Sequence, residues 1–218
     1  MANIKQQLDS PALPSLGLSG AVYSQDVQNQ NNGILRLFFT KLVNVISSVI
    51  GPSGGKYLNF PYGAFHNDTD QVALSTTDAY PVFFPVTDFS NGVSITSDSR
   101  ITVAVDGIWN LQFSLQIKNV SNDGQDFDIW FRKNGVNIPN SNSRFHIVAR
   151  KSSGDPSHIV AALNFFESLS TGDYIEIVGR VTSLDVSLEA YPASTSPTRP
   201  AIPSAIATMT FVSNLPNQ

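Results

Sequence analysis

The clearest signal in the chain is a strict two-residue alternation. Trp109, Leu111, Phe113, Leu115 and Ile117 are apolar, and Asn110, Gln112, Ser114 and Gln116 stand between them. That period belongs to a strand with one face in a core and the other toward water. The pattern recurs in Phe127, Ile129 and Phe131, and in Ile175 and Ile177 set against Tyr174, Glu176 and Arg180. Further strand-like runs lie near 57–66, 80–86, 91–96, 100–105, 143–150, 158–169, 184–190 and 202–212. Turn signals separate them: Asn91-Gly92, Asp106-Gly107, Asn122-Asp123-Gly124, Asn134-Gly135 and Thr171-Gly172-Asp173. Asn-Gly supplies the positive φ angles of a tight hairpin. Eight to ten short strands over residues 56–218, with no helix-forming run among them, predict an antiparallel β-sandwich or jelly roll.

A different period precedes them. Leu35, Phe38, Leu42, Val45 and Val49 fall at spacings of 3, 4, 3 and 4, the seam of a helix that associates with others. A second stripe, Phe39, Val43, Ile46 and Ile50, lies beside it. The spacing predicts a helical stem over 24–50, with Ser24 as its cap and a polar first stretch. Its apolar circumference is wider than one neighbouring helix can cover, which predicts three or more helices together or a partner protein; packing on its own domain is the alternative. Gly51-Pro52-Ser53-Gly54-Gly55 reads as a linker over 51–55. Residues 1–23 read as an extended arm. Two prolines and two glycines between Pro11 and Gly20 leave Leu13, Leu16 and Leu18 without a core, which suits docking on a neighbour.

Two strands lack a polar face. In 158–169, Ile159, Ala161, Leu163 and Phe165 share one side, and Val160, Ala162 and Phe166 the other. In 202–212, Ala205, Ala207, Met209 and Phe211 oppose Ile206, Thr208, Thr210 and Val212. A strand apolar on both sides must be covered on both, and a two-layer sandwich covers one. Val160, Ala162, Phe166, Ile206 and Met209 are the candidate subunit-interface residues; cover by a loop of the same chain is the alternative.

Composition narrows the function. Charged residues make up 14% of the chain, well under the usual quarter, so large contacts can form with few charges to desolvate. The net charge is −4 with no basic cluster, which argues against nucleic acid. Cysteine is absent, which removes disulfides, thiolate metal sites and a thiol nucleophile. The first residues lack the basic-then-apolar order of a signal peptide. The run Ile34–Ile50 carries Arg36 and Lys41 and is short for a membrane span, so membrane insertion is not expected.

The search for chemistry returns little. His66, His146 and His158 have no metal-ligand spacing and read as ordinary sheet residues. The glutamates are Glu167, Glu176 and Glu189, with no facing pair of the kind glycoside hydrolysis needs. Asp126 and Asp128 share a face beside a turn and read as solvated acids. Gly55-Lys56 lacks the spacing and the hydroxyl residue of a phosphate loop. Asp68 and Asp70 are candidate calcium ligands. Asp128, Trp130 and Arg132 form a candidate ligand face if Phe127, Ile129 and Phe131 point inward; cover of Trp130 by a neighbouring loop or subunit is the alternative. No cofactor is implied, and no enzymatic activity is expected.

The stretch Ser99–Phe113, with Gly107-Ile108-Trp109-Asn110-Leu111-Gln112-Phe113 at its end, resembles the glycine-aromatic strand of complement-type, tumour-necrosis-factor-like (TNF-like) jelly rolls. Asp128–Gly135 resembles their strand and Lys-Asn-Gly hairpin. Leu163–Leu169 followed by Gly172-Asp173-Tyr174-Ile175 resembles their leucine strand and Gly-Asp turn. The resemblance covers residues 60–215 and implies a ten-stranded jelly roll that forms homotrimers through one sheet, here with a helix where the family has a collagen-like stalk. Gly20–Phe39 and Phe60–Phe65 further resemble virion proteins of phages, cyanophage-like ones in particular. That implies a short fibre or capsid-surface decoration assembled in the host cytoplasm and anchored to other virion proteins through residues 1–50. The alternative it leaves open is a tail-associated receptor-binding protein whose head takes a host glycan or surface protein.

Overall fold

The computed structural model describes residues 12–18, 20, 22–50 and 60–214. The chain divides into two units, Met1–Asn59 and Phe60–Gln218. The expected linker 51–55, residues 1–11, 19 and 21 of the expected arm and the side chains of Val49 and Ile50 lie outside the described residues.

In the first unit, α1 (Gln25–Ile50) runs for 26 residues. The carbonyl of Ser24 accepts from the Gln28 amide at 3.1 Å, and its hydroxyl lies 3.5 Å from the Val27 amide. The first is the opening bond of the helix, and the second serves one of the donors that a helix start leaves unpaired. Residues 12–18 have no regular structure. Asn31 ties them to the helix: Gly17 N–H donates to its Oδ1 at 3.0 Å, and its Nδ2 donates to the Gly17 carbonyl at 3.1 Å. Leu13 and Leu18 nevertheless stay almost fully exposed. Leu35, Phe38, Leu42 and Val45 are half-buried, and Phe38 shares a shallow groove with Ala12 and Pro14. Leu37, Phe39, Val43 and Ile46 remain exposed.

Among its described residues the second unit has strands and no helix. They are β1 (Tyr62–Asn67), β2 (Gln71–Val72), β3 (Tyr80–Pro81), β4 (Val86–Asn91), β5 (Val93–Thr96), β6 (Arg100–Val103), β7 (Gly107–Asn119) and β8 (Gln125–Lys133). There follow β9 (Val136–Asn137), β10 (Ser143–Ile147), β11 (Ser157–Leu169), β12 (Tyr174–Val181), β13 (Val186–Leu188), β14 (Ser194–Thr195), β15 (Thr198–Arg199) and β16 (Ala205–Ser213). The first sheet runs β2-β13-β7-β16-β1-β4, with β11 along the other edge of β7. The second runs β10-β8-β12-β6-β5, with β3 added to β12 and β9 to β8. The pairings between named strands are antiparallel. The unit is an antiparallel β-sandwich, as the alternation predicts.

β7 is the axis of the first sheet. β11 pairs with it from Gly107 to Asn119, all thirteen residues. Its other edge is divided: β16 covers Ile108–Leu115, and β13 takes Ile117–Asn119. Trp109, Leu111, Phe113, Leu115 and Ile117 are all buried, and Phe127, Ile129 and Phe131 of β8 face them from the second sheet. The two layers meet through aromatic rings. Phe131 stacks on Phe165 of β11 at 4.3 Å between centroids and meets Phe113 edge-on at 5.9 Å. Each buried side chain of this size contributes roughly 1.5–3 kcal/mol. Gly179 of β12 makes room for Phe127, because a Cβ there would lie 2.2 Å from the ring.

Of the predicted turns, Asn134-Gly135 is the tight hairpin: φ is +50° and +81°, and Lys133 pairs with Val136 across it. The other four pass the chain from one sheet to the other. Gly92, at φ +67°, carries β4 of the first sheet directly into β5 of the second. This corner corrects the expected strands 80–86 and 91–96. The first of these pairs at Tyr80–Pro81 and ends at Val86, which opens the separate strand Val86–Asn91, and the second begins at Val93.

The corner between β11 and β12 is held by acids. Asp173 accepts from Ser170 N–H at 2.9 Å and from Asn134 Nδ2 at 2.7 Å, with Lys133 Nζ at 3.4 Å. Burial pushes its carboxyl up, but these donors outweigh burial and hold it below the usual range. Asp106 accepts from the Thr171 amide, which lowers its pKa too. Groups depressed in the folded state contribute stability that is present above their unfolded pKa, about 3.9, and lost as pH falls through the folded value. The thermal midpoint is therefore expected to be level from pH 7 to about 5 and to fall below about 4. Asp173→Asn is expected to lower the midpoint at pH 7 and flatten that acid decline, both read by thermal melts across pH.

Candidate functional site

Two surfaces carry the residues singled out by the sequence. The first is the outer face of the β11-β7-β16 sheet. Register sets its side chains in rows across three strands: Ala162–Ser114–Ile206, Asn164–Gln112–Thr208 and Phe166–Asn110–Thr210. Neighbouring strands lie about 4.8 Å apart, so each row is in lateral contact. Val160 is 53% exposed, Phe166 54%, Ile206 38% and Val212 49%. Among the described residues no loop covers them. The apolar side chains flank a polar spine on β7. On that spine Asn110 Oδ1 is buried with no hydrogen-bond partner among the described residues.

Met209 does not belong to this face. It is fully buried with Ala205 and Ala207 on the core side of β16. Its parity along the strand decides this: side chains two apart share a side, so Met209 cannot lie with Ile206. At one end of the face Lys118 pairs with Glu189, and Tyr191 Oη lies 3.4 Å from His158 Nδ1. Burial, with Glu189 nearby, pushes the Tyr191 phenol up.

The second surface is the outer face of β8 and its neighbours. Asp128, Trp130 and Arg132 do share it, opposite buried Phe127, Ile129 and Phe131. Trp130 Nε1 donates to Asn137 Oδ1 at 2.8 Å, and Arg132 Nε donates to the same oxygen at 2.9 Å. The Arg132 guanidinium lies 5.9 Å from the indole centroid. Asp128 is no free ligand. It is buried and held by a fork from Arg144, Nε at 2.7 Å and Nη2 at 3.0 Å, with Arg180 Nη1 at 3.9 Å. The hydrogen bond and charge of Asp128 raise the Arg144 pKa. Asp126 Oδ1 lies 2.8 Å from His146 Nδ1. Asp126 and Asp128 are thus not solvated turn acids. Arg144, which also lies 3.9 Å from Asp126, offsets their repulsion.

Asp68 and Asp70 line one open pocket with Tyr191 and Ile202. Asp70 Oδ1 accepts the Ala190 amide at 2.8 Å. Among the described residues no three His, Cys, Asp or Glu side chains converge as metal ligands. His66 lies 3.0 Å from Asp88. Sequence reading missed Arg144, Arg180 and Asn137, which complete the second surface. They come from other strands, and only the pairing of Arg144 with Asp128 and Arg180 with Asp128 reveals them.

The two sides of β16 and β11 are separable by charge. Met209→Asp buries a carboxylate in the core and is expected to cost more than about 3 kcal/mol in urea denaturation. Phe166→Asp places the same charge in water and is expected to leave the cooperative unfolding of the subunit in place. Equal damage from both would contradict the assignment of faces.

Compared with known proteins, the chain matches no protein-family model and no curated sequence.

Proposed function

We propose that the chain is a structural protein of a bacteriophage particle, a homotrimeric short fibre or capsid-surface decoration. In this reading the second unit is a jelly-roll head of TNF-like type. Residues 1–50 anchor it to other virion proteins, and the head presents its surface. Its mechanism is assembly, with no catalytic step.

One observation carries the reading: the outer face of β11-β7-β16 exposes Val160, Phe166, Ile206 and Val212 around a polar spine. In a monomer these side chains stay in water, while a contact between copies of the chain removes their apolar area from it at about 25 cal/mol per Å². The strand orders β4-β1-β16-β7-β11 and β10-β8-β12-β6-β5, joined by corners that alternate between sheets, support the jelly-roll type. The helix supports association separately, since Leu37, Phe39, Val43 and Ile46 are exposed.

Deleting residues 1–50 is expected to abolish incorporation into particles while leaving the head folded, read by particle composition and by far-ultraviolet circular dichroism. Full occupancy of the deletion variant in particles would overturn the anchoring role.

A further inference from the structure

The face of the sandwich opposite the apolar one carries a cleft of different chemistry. Trp130 of β8, the loop with Asn137, Asn140 and Asn142, and Arg180 of β12 line it, and Asp128 lies at its base. We infer that this cleft binds a saccharide that carries a carboxylate. The assignment deepens the ligand-binding alternative for this face and is independent of how the chain assembles.

The cleft is already in shape. Ser141, which is buried, accepts the Phe131 amide at 3.1 Å and donates to the Ile138 carbonyl at 2.8 Å. The Ile138 amide donates to the Phe131 carbonyl at 2.9 Å. These bonds lock the loop onto β8, and Asn140 holds a left-handed turn at φ +61°. Asn137 orients the indole and Arg132 through one oxygen. Arg180 is held from behind, its Nε donating to the Thr76 carbonyl at 2.8 Å. A site built in advance spends little binding energy on ordering itself.

The lining selects the ligand. An indole wall packs against the C–H face of a pyranose ring. The exposed amides of Asn140 and Asn142 each offer donors and an acceptor at one tip, which suits neighbouring hydroxyls. Charge gives the final selection. Arg180 lines the cleft beside buried Asp128, and Arg132 stands next to Trp130 at its edge. Arg144 is committed to Asp128 through both of its bonds. Arg180, 3.9 Å from that carboxylate, is the cation placed to receive an incoming one.

The test uses the full-length chain with two acidic probes, trigalacturonate and sialyllactose, and the neutral maltotriose. The chain has two tryptophans. Trp109 is sealed in the core, so a ligand-dependent emission change reports on Trp130. At least one acidic probe is expected to shift the emission saturably, and maltotriose to bind about tenfold more weakly. Arg180→Gln is expected to lose about tenfold for the acidic probe and to leave maltotriose unchanged. Trp130→Ala is expected to abolish saturation-transfer signals from the saccharide protons in nuclear magnetic resonance. Failure of both acidic probes to bind overturns the inference. So does a preference for maltotriose, or full acidic affinity in the Arg180→Gln variant. A chain that fails to assemble but still binds the acidic probe would sink the assembly reading alone.

Discussion

A two-layer sandwich can cover each of its sheets on one face only, and everything distinctive about this head follows from that constraint. β7 meets it with strict alternation: Trp109 through Ile117 fill the core, while Asn110 through Gln116 face outward. β11 and β16, on either side, do not meet it. Their inner residues join the core, and Val160, Phe166, Ile206 and Val212 face water. The first sheet therefore has a polar centre with apolar margins. The second sheet resolves the same constraint by charge, with Asp128 forked by Arg144 and Glu176 held by Ser99 and Arg100. One head thus offers two unlike surfaces, one suited to burial against a copy of itself and one suited to a polar ligand.

The sandwich is stiff where these surfaces need it. The stack of Phe113, Phe131 and Phe165 ties β7 and β11 to β8 across the layer gap. The same β8 carries Trp130 on its other side, so the core packing of one residue sets the position of its neighbour. The corner at Asp173 closes β11 onto β12, which brings Glu176 and Arg180 to the outer face of the second sheet. Core, apolar face and cleft are three readings of the same few strands.

Much of this was legible in the sequence because it is local. The alternation of β7, the hairpin at Asn134-Gly135 and the cap at Ser24 each depend on residues within one turn or strand. What was not legible is pairing. Asn91-Gly92 is written like a hairpin and serves as a corner between sheets, because its flanking strands find partners elsewhere in the chain. Asp126 and Asp128 look like two repelling acids until β10 brings Arg144 beside them. Met209 shares the parity of Ala205 and Ala207 and lies inside, so strand periodicity alone separates it from Ile206 on the outer face. The apolar stem was legible as a pattern, yet the tie between Asn31 and Gly17 joins residues with no shared period.

The central claim is that the apolar face of β11-β7-β16 is closed by copies of the same chain. Sedimentation equilibrium of the full-length protein at micromolar concentration tests it most directly, alongside a variant that combines Phe166→Asp with Ile206→Asp. The account predicts a particle of three times the 23.6 kDa chain mass for the natural sequence and a smaller one for the variant. A single 23.6 kDa species at every concentration, or an assembly that the two substitutions leave unchanged, would contradict it.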